Sequence, residues 1–114
     1  MYVVYAIGLD GYVGVRLSPS QVILKVGVSV HDVEYRLDAN ERYEGKNSYR
    51  ALFKKIEVLG QKKFPTKEAA TAYEQALLQE LGSKDLSIHE QVKGVTELRV
   101  MTPDRLAVVH QWMK

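Results

Sequence analysis

The chain opens with three short apolar stretches. "YVVYAI", residues 2 to 7, is β-branched and aromatic, and Asp10-Gly11 supplies a turn signal after it. "YVGVRL", residues 12 to 17, reads as a second strand and "SPSQ" as a turn. "VILKV", residues 22 to 26, is a third strand. Turns this short leave no room for a crossover, so the three strands are expected to pair as an antiparallel meander.

The period then changes. Asp32 is a candidate N-cap, and Val33 with Leu37 gives the i, i+4 spacing of a buried helical stripe, with Arg36 at its border. "NSYRALF" reads as a short helix and "KKIEVLG" as a strand running into a glycine-containing turn. In "TKEAATAYEQALLQELG", Thr66 is the expected N-cap, Glu68 suits the positive end and Gly82 the C-terminal stop. Ala70, Tyr73, Leu77 and Leu81 form its apolar stripe, with Glu74 beside it. "GVTELRVM", residues 94 to 101, reads as a late strand. "TPDRLAVVHQWMK" reads as a terminal helix capped by Thr102 with Pro103 in its first turn. The expected fold is α+β, a small antiparallel sheet of about three to four strands flanked by helices, in one domain spanning residues 1–114.

Composition narrows the class. With 114 residues the chain suffices for one domain, and 46% hydrophobic with 26% charged residues is ordinary for a globular protein. No apolar run approaches a membrane span and no basic, then hydrophobic leader opens the chain, so no membrane partner and a cytoplasmic setting are expected. The absence of cysteine excludes disulfides and thiolate metal sites. His31, His89 and His110 lack metal-ligand spacing and read as surface or capping residues. Trp112 reads as core or as part of a homodimer surface on the C-terminal helix.

Charge adds a local feature. Arg42, Lys46, Arg50, Lys54, Lys55, Lys62, Lys63 and Lys67 face only Glu44 and Glu57 between residues 42 and 67. That is a balance of +6 in a chain whose net charge is +2. Such a segment reads equally well as a solvated surface or as a face that attracts the phosphates of nucleic acid.

One constellation carries chemistry. Tyr5 lies in the first strand, "KVG" (Lys25 to Gly27) ends the third, Arg36 follows nine residues later and Glu74 sits on a later helix. This set resembles the GIY-YIG nuclease superfamily, over roughly residues 2 to 86, with "VVY" (Val3 to Tyr5) as first motif and "KVG" as second. Residues 87 to 114 would add a strand and the terminal helix. An alternative register, closer to the phage-rich branch, draws the first motif from "GYVGVRLSPS", with Gly14 at the tyrosine position and Tyr12 next to it. Three departures stand out: Lys25 replaces the second-motif tyrosine, Asn40 stands where histidine is frequent, and the motifs are more widely spaced.

The resemblance implies metal-dependent hydrolysis of a DNA phosphodiester. Glu74 would hold Mg2+ or Mn2+, Arg36 would contact the scissile phosphate, and Tyr5 with Lys25 would complete the catalytic set. A fixed guanidinium suits that step because it binds two non-bridging oxygens in a planar fork as their charge grows. Magnesium keeps several waters, so one carboxylate can be its sole protein ligand. Gly27 would let the chain pass close to substrate without a Cβ in the way. Arg42, Lys46, Arg50, Lys54, Lys55, Lys62 and Lys63 would hold DNA. Two readings stay open: an endonuclease, or a catalytically inactive nucleic-acid-binding or regulatory module on the same fold. On the plainer reading Arg36 only pairs with Glu34 or Asp32.

Overall fold

The computed structural model describes residues 1–12, 22–82 and 98–114. In chain order it contains β1 (Tyr2–Tyr12), β2 (Ile23–Ser29), α1 (Val33–Glu44), a short 3₁₀ turn (Gly45–Asn47), α2 (Tyr49–Leu52), β3 (Phe53–Phe64), α3 (Lys67–Leu81), β4 (Leu98–Val100) and α4 (Pro103–Trp112). The strands form one antiparallel sheet in the order β3-β1-β2-β4, flanked by helices. The expected α+β class and sheet size are those observed.

The expected meander is not. β1 is long enough to pair with β2 on one edge and β3 on the other. Asp10-Gly11 therefore lies inside β1, opposite Lys55, rather than in a turn. Gly11 supplies the positive φ of 70° that this position adopts. Of the expected second strand only Tyr12 is described, at the end of β1; residues 13–17 lie outside the described residues, as do 94–97 of the expected late strand. β2 also continues past Gly27 to Ser29, and β3 runs through Gly60 to Phe64 rather than turning there. The register shifts at Ala6/Ile7, where Ala6 faces Gly60 and Ile7 faces Val58. One extra residue in β3, Leu59, makes the bulge.

Alternation in the strands divides the core between two faces. Val3, Tyr5, Ile7, Leu9 and Ile23 pack with Val33 and Leu37 of α1 and with Tyr49 and Phe53. Val4, Ala6, Leu24 and Val26 pack with Ala70, Leu77, Leu78 and Leu81 of α3 and with Val109 of α4. The sheet is thus the middle layer, with α1 and α2 on one side and α3 and α4 on the other.

The helix ends follow local chemistry. Asp32 accepts from the Tyr35 amide at 2.9 Å, Thr66 from Ala69 at 3.1 Å and Thr102 from Arg105 at 3.2 Å. Each satisfies one amide that the first turn leaves unpaired. Ser48 does the same for the short helix α2, through the Ala51 amide at 3.2 Å.

Candidate functional site

Tyr5 and Gly27 are cross-strand partners on the α1 side of the sheet. The ring of Tyr5 crosses over Gly27, so a Cβ there would stand 2.6 Å from the tyrosine oxygen. The glycine therefore makes room for Tyr5, which corrects the expectation that it clears space for substrate.

Lys25 pairs with Ile7 and projects to this same face. It is buried there, with only 2% of it exposed. Its Nζ stands 5.9 Å from the ring centre of Tyr5 and 5.6 Å from that of Tyr49, within cation–π range of both. Tyr49 was missed from sequence. It is buried at the start of α2, and its amide donates to Asn40 Oδ1 at 2.8 Å. Asn40, at the position where histidine is frequent in the family resembled, thus ties α1 to α2. No periodic signal links residues nine apart across a turn.

Arg36 is half-buried on α1, on the same side of the sheet as Tyr5 and Lys25. The two carboxylates expected to neutralise it are engaged elsewhere. Asp32 caps the helix, and Glu34 pairs with Arg50 at 3.1 Å. Arg50 also binds Asp38, and Glu41 at 3.4 Å, so one guanidinium gathers the three acids spaced along one flank of α1. Its hydrogen bond to Asp38 raises the Arg50 pKa above its ordinary value. Beside this network Glu34, Leu37, Arg50, Phe53, Lys54, Ile56 and Val58 line a cavity of about 230 Å3.

The expected phosphate-binding segment is divided. Lys62 and Lys63 point to opposite faces, opposite Val4 and Val3 respectively. Lys62 reaches the Lys114 carbonyl at 3.3 Å and lies 5.3 Å over the ring of Tyr73. Lys55 stands opposite Asp10, and both line a cavity of about 270 Å3 on the α4 side. Arg42 and Lys46 are exposed on α1 and the following turn. Residues 42–67 therefore do not compose one cationic patch, and Arg50 is a tethered cation rather than an available one.

Glu74 is 5% exposed and lies within the buried stripe of α3, where sequence placed it beside that stripe. The Gln75 side-chain Nε2 donates to its Oε1 at 3.0 Å. A single buried carboxylate offers one hard oxygen ligand, which suits magnesium or manganese when water and phosphate supply the rest. Among the described residues no group of three His, Asp or Glu side chains forms a metal cluster. Tyr5, Lys25 and the helix of Arg36 are thus brought to one face, while the helix of Glu74 covers the other. No helix among the described residues is long and apolar enough to cross a membrane.

Comparison of the chain with protein-family models, with curated proteins and with solved structures gives no match.

Proposed function

We propose that this protein is a DNA endonuclease of the GIY-YIG type, hydrolysing a phosphodiester bond with a divalent cation. The observation that carries the reading is the shared face of Tyr5, Lys25 and α1, where the acids next to Arg36 are occupied by other partners. An arginine left in that state serves a phosphate well. Its fork meets two non-bridging oxygens, and it gains most as negative charge accumulates on them during attack. Lys25 adds positive charge beneath that face, and Tyr5 is held rigidly by Gly27 and by the sheet. Glu74 packs on the far side of the sheet from Arg36, so it does not bring a cation to this phosphate. Mg2+ or Mn2+ would reach this face with the nucleic acid, and would there supply charge neutralisation and a lower pKa for bound water. A cysteine-free chain fits the cytoplasmic setting proposed with this activity.

A second reading has its own support. The sheet stands between the helix of Arg36 and that of Glu74, an arrangement suited to a module that binds nucleic acid without cutting it. Supercoiled plasmid separates the two. The nuclease reading expects nicking in Mg2+ or Mn2+, with Arg36→Ala losing about 10²–10³ in rate or more. Folded protein that leaves plasmid, linear duplex and single-stranded DNA intact in both metals removes it. The binding reading expects metal-independent affinity that falls linearly on a log-salt axis.

A further inference from the structure

The surface of α1 is sorted by chemistry. Val33, Leu37 and Asn40 are its buried residues, and Glu34, Asp38 and Glu41 form the flank tied to Arg50. Seven residues return a helix to nearly the same side. Arg36 and Tyr43 therefore share the flank away from the acids, and Tyr35 with Arg42 shares the outward side. Both tyrosines are exposed, Tyr35 at 50% and Tyr43 at 79%. Each ring has a cationic or imidazole neighbour. His31 meets Tyr35 edge-on, with ring centres 4.2 Å apart, and the Arg42 guanidinium carbon lies 5.9 Å from the centre of Tyr43. Asp32, just before the helix, is turned to the Tyr35 amide, and Glu44 follows Leu37 by seven residues and so falls on the inward side.

We propose that this side of α1 is a stacking platform for single-stranded nucleic acid, with bases lying on Tyr35 and Tyr43 and phosphates meeting Arg36 and Arg42. The proposal rests on the nucleic-acid reading above and names its substrate class: DNA with an unpaired stretch. Every base has a π-face that a tyrosine ring accepts, whereas a duplex keeps those faces stacked on one another. The rings are separated by roughly 12 Å along the helix axis, since eight residues rise 1.5 Å each. That distance spans about three to four base steps of 3.4 Å. Charge complementarity favours a polyanion, because Arg36 and Arg42 are the charges on this side of the helix, while Glu34, Asp38 and Glu41 lie on the flank tied to Arg50.

Fluorescence anisotropy on the full chain tests it, with a labelled twelve-thymidine oligonucleotide, a duplex of the same length, and polyglutamate of matched charge. The double variant Tyr35→Ala/Tyr43→Ala is expected to weaken oligonucleotide binding by about 10-fold or more, since one stacked base is worth on the order of 5- to 150-fold in Kd. Duplex affinity should stay within about twofold, and Tyr35→Phe/Tyr43→Phe should bind as the native chain does. Unchanged oligonucleotide binding in the alanine variant overturns the platform. So does an equal loss for duplex, or polyglutamate binding as tightly with the same dependence on the tyrosines, which would mark a protein-binding surface. Tyrosine-dependent binding without cleavage keeps the platform and removes the nuclease. Cleavage that needs Arg36 and ignores both tyrosines does the reverse.

Discussion

The hydroxyl of Tyr5 occupies the space where a side chain on Gly27 would begin, 2.6 Å from an ideal Cβ, with the ring carbon that bears it at 2.8 Å. Strand and counter-strand are locked at this pair, because neither residue can change size alone. Gly27→Ala should cost about 1–3 kcal/mol in chemical denaturation, the usual penalty for overpacking a filled core. Tyr5→Phe should not relieve it, since the ring carbon remains. Tyr5→Ala/Gly27→Ala should be less unstable than the sum of the single variants, and a double-mutant cycle giving simple additivity would remove the lock.

A similar contact holds α4. A Cβ on Gly60 would stand 2.7 Å from the Cβ of Met113, one residue beyond Trp112. Trp112 packs against Tyr73 with ring centres 5.0 Å apart, and Tyr73 donates its hydroxyl proton to the Trp112 carbonyl. Gly60→Ala should push the end of α4 away from the sheet. As Trp112 is the chain's single tryptophan, its emission should shift to the red, with a stability loss of about 1–3 kcal/mol. Unchanged emission and stability would show that α4 is not seated by this glycine.

Arg50 is 29% exposed at its side chain and its acid partners are 56–65% exposed, so solvent screens the network. Arg50→Ala should therefore cost no more than about 1 kcal/mol at low salt, and less in high salt. The pH dependence follows from the raised pKa of the guanidinium. A cation with a raised folded-state pKa contributes fully below its unfolded value and loses that contribution only as pH rises through the folded one. An arginine's unfolded value already lies far above this range, so the difference between native chain and variant should be flat from pH 7 to pH 10. Thermal melts across that range check it.

Glu74 separates a metal ligand from a structural carboxylate. Glu74→Gln keeps the shape and one acceptor while removing the charge a cation needs. If Glu74 holds the metal, plasmid nicking should fall by at least about 10²-fold with little change in melting temperature. A fall in melting temperature, with Mg2+-dependent nicking retained, would assign it to packing alone.

Much of the helical architecture was legible because its signals are local. Thr66 and Thr102 cap the helices that their sequences announced, and Ala70, Leu77 and Leu81 face inward as their spacing requires. The strands were read less well. Asp10-Gly11 looks like a turn until β3 is placed beside β1, and only then does the positive φ of Gly11 make sense inside a strand. The role of Gly27 was hidden for the same reason, since its constraint comes from Tyr5 across the sheet. For Glu74, helical periodicity showed nearness to the buried stripe, yet it carries no information about which sheet face that stripe covers. The charge run also misled: a sum over residues 42–67 ignores that neighbours in a strand point apart and that Glu34, Asp38 and Glu41 fold back onto Arg50.

Among the described residues β3 lies at the margin of the sheet, and Lys54, Lys55, Lys62 and Lys63 are spaced along it. A twelve-residue strand in that position would otherwise template pairing with the same strand of another molecule. Ammonium groups near each end of it make such an antiparallel approach self-repelling. Acetylating those lysines would erase the repulsion while leaving the backbone ready to pair, so turbidity after mild acylation would report how far solubility depends on four side chains.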